Sequence, residues 1–172
     1  MELYLLRHGV AGQRGDPRYP NDGDRPLTKK GRKKLRAQLA GLEAFNVRPN
    51  VVITSPLARA RQTAEVVVEG LGIASRLVVD NRLAPGASTA GVIEILANYP
   101  DHAQVMLVGH EPDFSQIASE LSGGSGDIWL RKGGLIRVDL DAISGQHGVL
   151  RWLLEPKHLM LGAKDLTEGD EP

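Results

Sequence analysis

The sequence predicts an α/β fold. It is expected to be a single-domain three-layer sandwich, with helices on both faces of a mostly parallel sheet and antiparallel strands at its edge. Three observations carry this. Short unbroken apolar runs alternate with segments whose apolar residues recur at helical spacing. Several of those runs stop abruptly at polar or glycine-containing loops, as buried parallel strands do. Toward the carboxyl end the pattern changes to apolar–polar alternation, the mark of half-buried antiparallel strands.

The first strand is expected at Leu3–Leu6, ending at Arg7-His8-Gly9. Residues 12–26 are rich in Gly, Pro, Asp and Arg and read as a long surface loop, a type that is often functional. Thr28 then reads as the N-cap of a helix carrying Leu35, Leu39, Leu42 and Phe45 on one face. A second buried strand follows at Val51–Ile53. It ends at Thr54-Ser55-Pro56, where Ser55 is the expected N-cap and Pro56 the first helical residue.

The next helix presents Ala60, Ala64, Val67, Val68 and Leu71 on one side. A third strand is expected at Arg76–Val79, and a helix bearing Val92, Ile93, Leu96 and Ala97 stops before Pro100. The fourth strand, Val105–Val108, ends at Gly109-His110. A short helix follows with Phe114, Ile117, Ala118 and Leu121 facing inward. Gly123-Gly124-Ser125-Gly126 is a flexible break. Leu135–Leu140 and Val149–Leu154 read as antiparallel edge strands. One domain is expected over residues 1–160, with a flexible acidic tail over 161–172 whose last eight residues hold four acids and no base.

Composition narrows the function classes. The 172 residues carry 21 Lys and Arg against 21 Asp and Glu, a formal net charge of zero. That argues against a protein whose main task is coating nucleic acid or an anionic membrane. Hydrophobic residues make up 41% of the chain, enough for a packed core at this length. Cysteine is absent, which excludes disulfides, thiolate catalysis and Cys-ligated metal centres. No apolar run approaches the ~20 residues a bilayer-spanning helix needs. The opening Met-Glu-Leu-Tyr-Leu-Leu-Arg-His does not read as a signal peptide, and the cytoplasm is the expected compartment.

Three strand ends hold the chemistry. In an open α/β sheet the carboxyl ends of parallel strands line the ligand crevice. If the first, second and fourth strands are neighbours, Arg7, His8, Arg59 and His110 converge there. Helix N-termini after Ser55 and near Asp113 add backbone donors and positive dipole ends. Two guanidiniums and two imidazoles call for an anionic guest. Phosphate fits best, because the planar fork of Arg pairs its oxygens bidentately. A neutral imidazole is also a competent nucleophile. Phosphoryl transfer spreads charge over three equatorial oxygens, which surrounding cations stabilise without a metal.

Four ordered blocks then point to a family. Leu6-Arg7-His8-Gly9 resembles the RHG motif of the histidine phosphatase superfamily, the group with the phosphoglycerate-mutase-like fold. Arg25-Pro26-Leu27-Thr28-Lys29-Lys30-Gly31, Ser55-Pro56-Leu57-Ala58-Arg59-Ala60-Arg61-Gln62-Thr63-Ala64 and Val108-Gly109-His110-Glu111-Pro112 are similar to its remaining blocks, in the same order. The resemblance spans residues 2–122. It implies that His8 is the phosphorylated nucleophile and that Arg7, Arg59 and His110 form the phosphate clamp. Gly9, Ser55 and Glu111 are added as expected substrate contacts. No metal and no cofactor are implied, and phosphate or sulfate is the expected small-ion guest.

Short phosphohistidine phosphatases of the SixA type are the nearest branch by length and motif wording. They resemble this chain in having little between the second and third blocks, here the 45 residues between Thr63 and Gly109. Mutase-like members carry a carboxylate soon after the third strand, but Leu83-Ala84-Pro85-Gly86-Ala87-Ser88 contains none. The candidate proton donors are therefore Asp22 and Asp24 in the long loop, with Asp16 as a further loop acid, and Glu111. A phosphoramidate's imidazole leaves more readily than an alkoxide, so a missing fixed acid suits phosphohistidine.

The expected activity is a metal-independent phosphatase acting on a phosphorylated protein, with no nucleic-acid or membrane partner. A small-molecule phosphomonoesterase or mutase-like enzyme, and a non-catalytic phosphate-binding module, are the alternatives. Arg25–Arg36 holds seven basic residues and no acid. It reads as a solvated helix face, or as a docking patch for an acidic partner. His102, His147 and His158 lack motif context and are expected at the surface.

Overall fold

The computed structural model describes residues 1–73, 76–101, 103–124, 127–141 and 148–161. Of the expected acidic tail, Leu161 ends a helix; the part beyond it, His102, His147 and the Ser125-Gly126 part of the glycine-rich break lie outside the described residues. Six strands form one sheet in the order β3-β2-β4-β1-β5-β6. They are β1 (Glu2–Arg7), β2 (Val51–Thr54), β3 (Leu77–Val79), β4 (Gln104–Gly109), β5 (Leu135–Leu140) and β6 (Gly148–Leu154). The helices are α1 (Lys29–Ala44), α2 (Ala58–Gly70), α3 (Thr89–Leu96), α4 (Asp113–Leu121) and α5 (Pro156–Leu161).

β4 lies between β1 and β2 and runs parallel to both, pairing Arg7 with Gly109 and Thr54 with Val108. β3 joins β2 in parallel, whereas β5 and β6 are antiparallel to their neighbours. β6 is thus an edge strand as expected. β5 is internal, hydrogen-bonded to β1 and β6 at once. Its alternation reflects half-burial rather than an open edge: the outward Arg137 and Asp139 pair with each other and with Glu2 and Arg151.

Alternation of side chains across β1 splits the core in two. Leu3 and Leu5 join Ile53, Leu107, Ile95, Phe114 and Ile117 beneath α3 and α4. Tyr4 and Leu6 join Val52, Met106, Ala64, Val67 and Leu159 beneath α1, α2 and α5. This is the three-layer sandwich. The helix faces match the spacing closely, except that Ile95 is buried in α3 while Ala97 is exposed.

Two local expectations are corrected. Thr28 does cap α1, accepting from the Gly31 N–H at 2.9 Å. Ser55, however, does not cap α2. That helix starts at Ala58, Leu57 occupies the cap position without a side-chain bond, and Pro56 precedes the helix. The Ser55 hydroxyl instead accepts from Leu57 N at 3.3 Å, ahead of the helix, and bonds a histidine. Helix α5 was not anticipated: its six residues are too few for a helical period to show. Its anchor is tertiary, because a Cβ on Gly41 of α1 would overlap the Leu159 carbonyl. No helix among the described residues is long and apolar enough to cross a membrane.

Candidate active site

Because β4 is flanked by β1 and β2, their carboxyl ends deliver His8, Ser55 and His110 side by side. The ring centroids of His8 and His110 are 5.3 Å apart. Both imidazoles are buried, as are Ser55 and Arg59. Two glycines permit the packing. A Cβ at Gly9 would lie 2.8 Å from Leu35 Cδ1, and one at Gly109 would lie 2.6 Å from the Phe114 ring.

The tautomer of His8 follows from its partners. Nδ1 lies 2.7 Å from the Gly9 carbonyl oxygen, which can only accept, so Nδ1 carries the proton. The Nε2 lone pair is then free and accepts from Arg59 Nε at 3.2 Å. Burial, reinforced by His110, Arg59 and Arg7, outweighs the Gly9 bond and pushes the His8 pKa down to about 3. His8 is neutral throughout the physiological range. His110 is lowered to about 4, by burial first and then by Arg59 and Arg7. Its Nε2 is 2.8 Å from Ser55 Oγ. Its Nδ1 is buried and has no partner among the described residues.

Arg7 is held by the main chain around it. Nη1 donates to the Leu130 carbonyl at 2.6 Å, while Nε is buried without a partner among the described residues. Arg59 stands in the first turn of α2 and donates to the Asp22 carbonyl at 3.0 Å; its Nη1 is 3.1 Å from the Asp22 carboxylate. Desolvation lowers the pKa of both guanidiniums, so their charge is held at a cost. Thr63 ties the parts together. Its hydroxyl accepts from Gly9 N at 3.0 Å and donates to the Arg59 carbonyl at 2.7 Å. Gln62 of the same helix accepts from Leu27 N at 2.8 Å and fixes the end of the long loop.

These groups face a cleft of about 280 Å³. Arg7, His8, Arg59, His110, Asp22 and Glu111 line it, as expected of a convergent site. Gly9 and Ser55 are not among its lining residues; their polar groups bond His8, Thr63, His110 and Leu57 N. Asp24 and Asp16 lie outside the lining as well, and Asp16 is paired with Arg18 at 2.6 Å. Arg14, Arg25 and Lys132 also line the cleft, although spacing alone assigned them nothing. Arg25 opens the second motif block, which was the available signal. Arg14 and Lys132 sit in segments without motif or periodicity.

The two carboxyls in the cleft differ. Partial desolvation raises Asp22, but its hydrogen bond from Arg25 and the charges of Arg59, Arg25 and Arg14 outweigh this and hold it low. Asp22 is a fixed carboxylate that orients Arg25 and Arg59. Desolvation raises Glu111 from its ordinary value against the opposing pull of Ser115 and Arg7. Its Oε1 accepts from Ser115 Oγ at 2.9 Å.

Known proteins are similar to this chain in sequence and fold. The family model of the histidine phosphatase superfamily, branch 1, matches residues 3–102, and the chain belongs to that superfamily. Among curated relatives, an uncharacterized protein of Picosynechococcus sp. is 38% identical over 141 residues, covering 79% of this chain and 83% of that protein. Phosphohistidine phosphatase SixA of Escherichia coli (strain K12) is 28% identical over 163 residues, covering 94% of this chain and 98% of that protein. A solved structure of the protein histidine phosphatase SixA complexed with tungstate is similar at TM-score 0.82 and 28% identity, covering 92% of this chain and 99% of the other. The shared fold is that of the phosphoglycerate-mutase-like histidine phosphatases.

Proposed function

We propose that this phosphatase removes the phosphoryl group from phosphohistidine on a protein, through a covalent intermediate on His8. One observation carries the mechanism. The Gly9 carbonyl holds the Nδ1 proton, leaving the Nε2 lone pair of His8 available beside Arg59. In the first step that lone pair attacks phosphorus in line. The His8 N–P bond forms and the P–N bond to the substrate imidazole breaks. Glu111, whose half-buried carboxyl is shifted upward by desolvation, is the proposed donor to the leaving nitrogen. In the second step water attacks phosphorus, its proton passes to Glu111, and His8 leaves as neutral imidazole.

Arg7, Arg59 and His110 surround the transferred group. The unpartnered donor at Arg7 Nε and the free nitrogen at His110 Nδ1 suit phosphoryl oxygens. The tungstate in the similar SixA structure is likewise an oxyanion. Size supports a phosphorylated side chain: about 280 Å³ falls just below the ~300–1,000 Å³ of small-molecule sites. A second reading, phosphomonoester hydrolysis, is favoured by Glu111 itself, since an alkoxide leaving group needs such a donor.

A panel of phosphohistidine peptide, phosphotyrosine peptide and sugar phosphate separates the two. The expected result is the highest kcat/KM on phosphohistidine and an acid-labile phosphoenzyme. His8→Ala is expected to lower activity ~10³-fold or more and to remove the phosphoenzyme. Faster turnover of sugar phosphates would overturn the substrate assignment. Activity that survives His8→Ala would overturn the mechanism.

A further inference from the structure

A second concavity, of about 410 Å³, adjoins the cleft and shares Arg7 and Lys132 with it. It runs between residues 129–132, Lys34 of α1 and the first turns of α5. Its lining is strongly basic: Arg7, Lys34, Arg131, Lys132 and Lys157 face a single acid, Glu155. Glu155 is already committed, at 3.1 Å to Arg131 and 3.4 Å to Lys157. Lys34 and Lys132 have no ion-pair partner among the described residues.

Trp129 stands at this groove 76% exposed, more so than the other exposed large apolar side chains among the described residues. The segment that carries it is anchored. Leu130 is fully buried and its carbonyl accepts from Arg7; Gly133 N donates to the carbonyls of Arg7 and His8. The indole and the two neighbouring cations are thus presented on a loop hydrogen-bonded to the His8 strand. Trp and Arg together are the residue types that dominate binding hot spots.

We propose that this groove docks an acidic, extended segment flanking the phosphorylated residue of a partner protein, with one apolar side chain of that segment against Trp129. The inference rests on the phosphatase reading, because Arg7 and Lys132 make the groove continuous with the phosphoryl site. Charge complementarity identifies the occupant. The excess positive charge is local, in a chain of zero net charge, and a single aromatic is a poor platform for stacked bases. Part of the basic stretch at Arg25–Arg36 thereby acquires a role, through Lys34.

The test uses two phosphohistidine peptides, one flanked by glutamates and a leucine, the other by serines and alanines. Free phosphohistidine reports basal activity. The acidic peptide is expected to have at least tenfold higher kcat/KM than the neutral one, with the advantage erased at high salt. Lys34→Glu with Lys157→Glu, and separately Trp129→Ala, are expected to remove about tenfold of that advantage and leave free phosphohistidine turnover unchanged. The unphosphorylated acidic peptide is expected to perturb Trp129 fluorescence, a readout that needs no turnover. Equal kcat/KM for the two peptides overturns the proposal, as does a preference untouched by the variants. Tighter binding of single-stranded RNA than of the acidic peptide also overturns it. Peptide binding without hydrolysis of any phosphohistidine leaves the groove assigned and faults the phosphatase reading instead.

Discussion

The cleft and the basic groove share Arg7, yet they use positive charge in opposite ways. In the cleft, Arg59 is 5% exposed and is held by His8, by the Asp22 carbonyl and by the Asp22 carboxylate. Along α1, Lys30, Lys33 and Lys34 are exposed, with no ion pair among the described residues. Removed from water, a charge interacts strongly and at fixed geometry; in water it is screened within about 8–10 Å. The first kind stabilises a transition state. The second kind raises encounter rates and selects partners. On the proposed reading, neighbouring cations divide between chemistry and recognition according to burial.

The sharpest way to break this comparison is to remove one charge of each kind. Arg59→Ala is expected to lower kcat by ~10²–10³, the size of one lost preorganised donor. Lys34→Glu is expected to leave kcat unchanged and to alter only KM for the acidic peptide and its salt dependence. Equal effects of the two, measured by steady-state phosphate release, would mean that burial does not divide their roles.

Glu111 sharpens it next. Glu111→Gln is expected to slow aryl and alkyl phosphate hydrolysis by ~10²-fold, the lower range for general acid catalysis. The slowing on phosphohistidine is expected to be smaller, since imidazole leaves more readily. The wild-type kcat/KM is expected to fall as pH rises through the raised Glu111 pKa, and the variant to lose that limb. A pH–rate profile with an unchanged limb in the variant would assign the donor elsewhere.

The buried histidines also make stability depend on pH. His8 and His110 titrate near 6.5 in the unfolded chain, but only near 3 and 4 in the folded one. Between these values the unfolded state binds more protons, so stability is full above pH 6.5 and is lost as pH falls toward 4. Thermal melts across pH 4–7 check this. His8→Asn is expected to flatten the slope, whereas Lys30→Glu is expected to leave it unchanged.

The strands around the site were legible because each is a local signal. Val105–Val108 is apolar without interruption, and Gly109-His110 ends it. The helix faces were legible for the same reason, through Ala60, Ala64, Val67 and Val68 of α2. Ser55 shows the limit. A Ser-Pro before a helix reads as a cap in any short window, and only the approach of β4 turns its hydroxyl to His110. Glu111 was visible as a candidate, but what separates it from Asp22 is burial beside Ser115 as against contact with two arginines. α5 escaped altogether, being six residues anchored on Gly41.

By itself, then, the sequence determined the alternation of elements, the residues at the strand ends and the chemistry they could perform. Each of these depends on neighbours a few positions away. The tertiary structure alone decided that β4 enters between β1 and β2 and that His8 keeps its proton on Nδ1. It alone placed Arg14 and Lys132 at the cleft of His8 and His110 and made a groove of Lys34, Trp129 and Lys157. Those outcomes depend on pairings between residues scores of positions apart. Their energies arise from burial and close approach, which no local window of sequence contains.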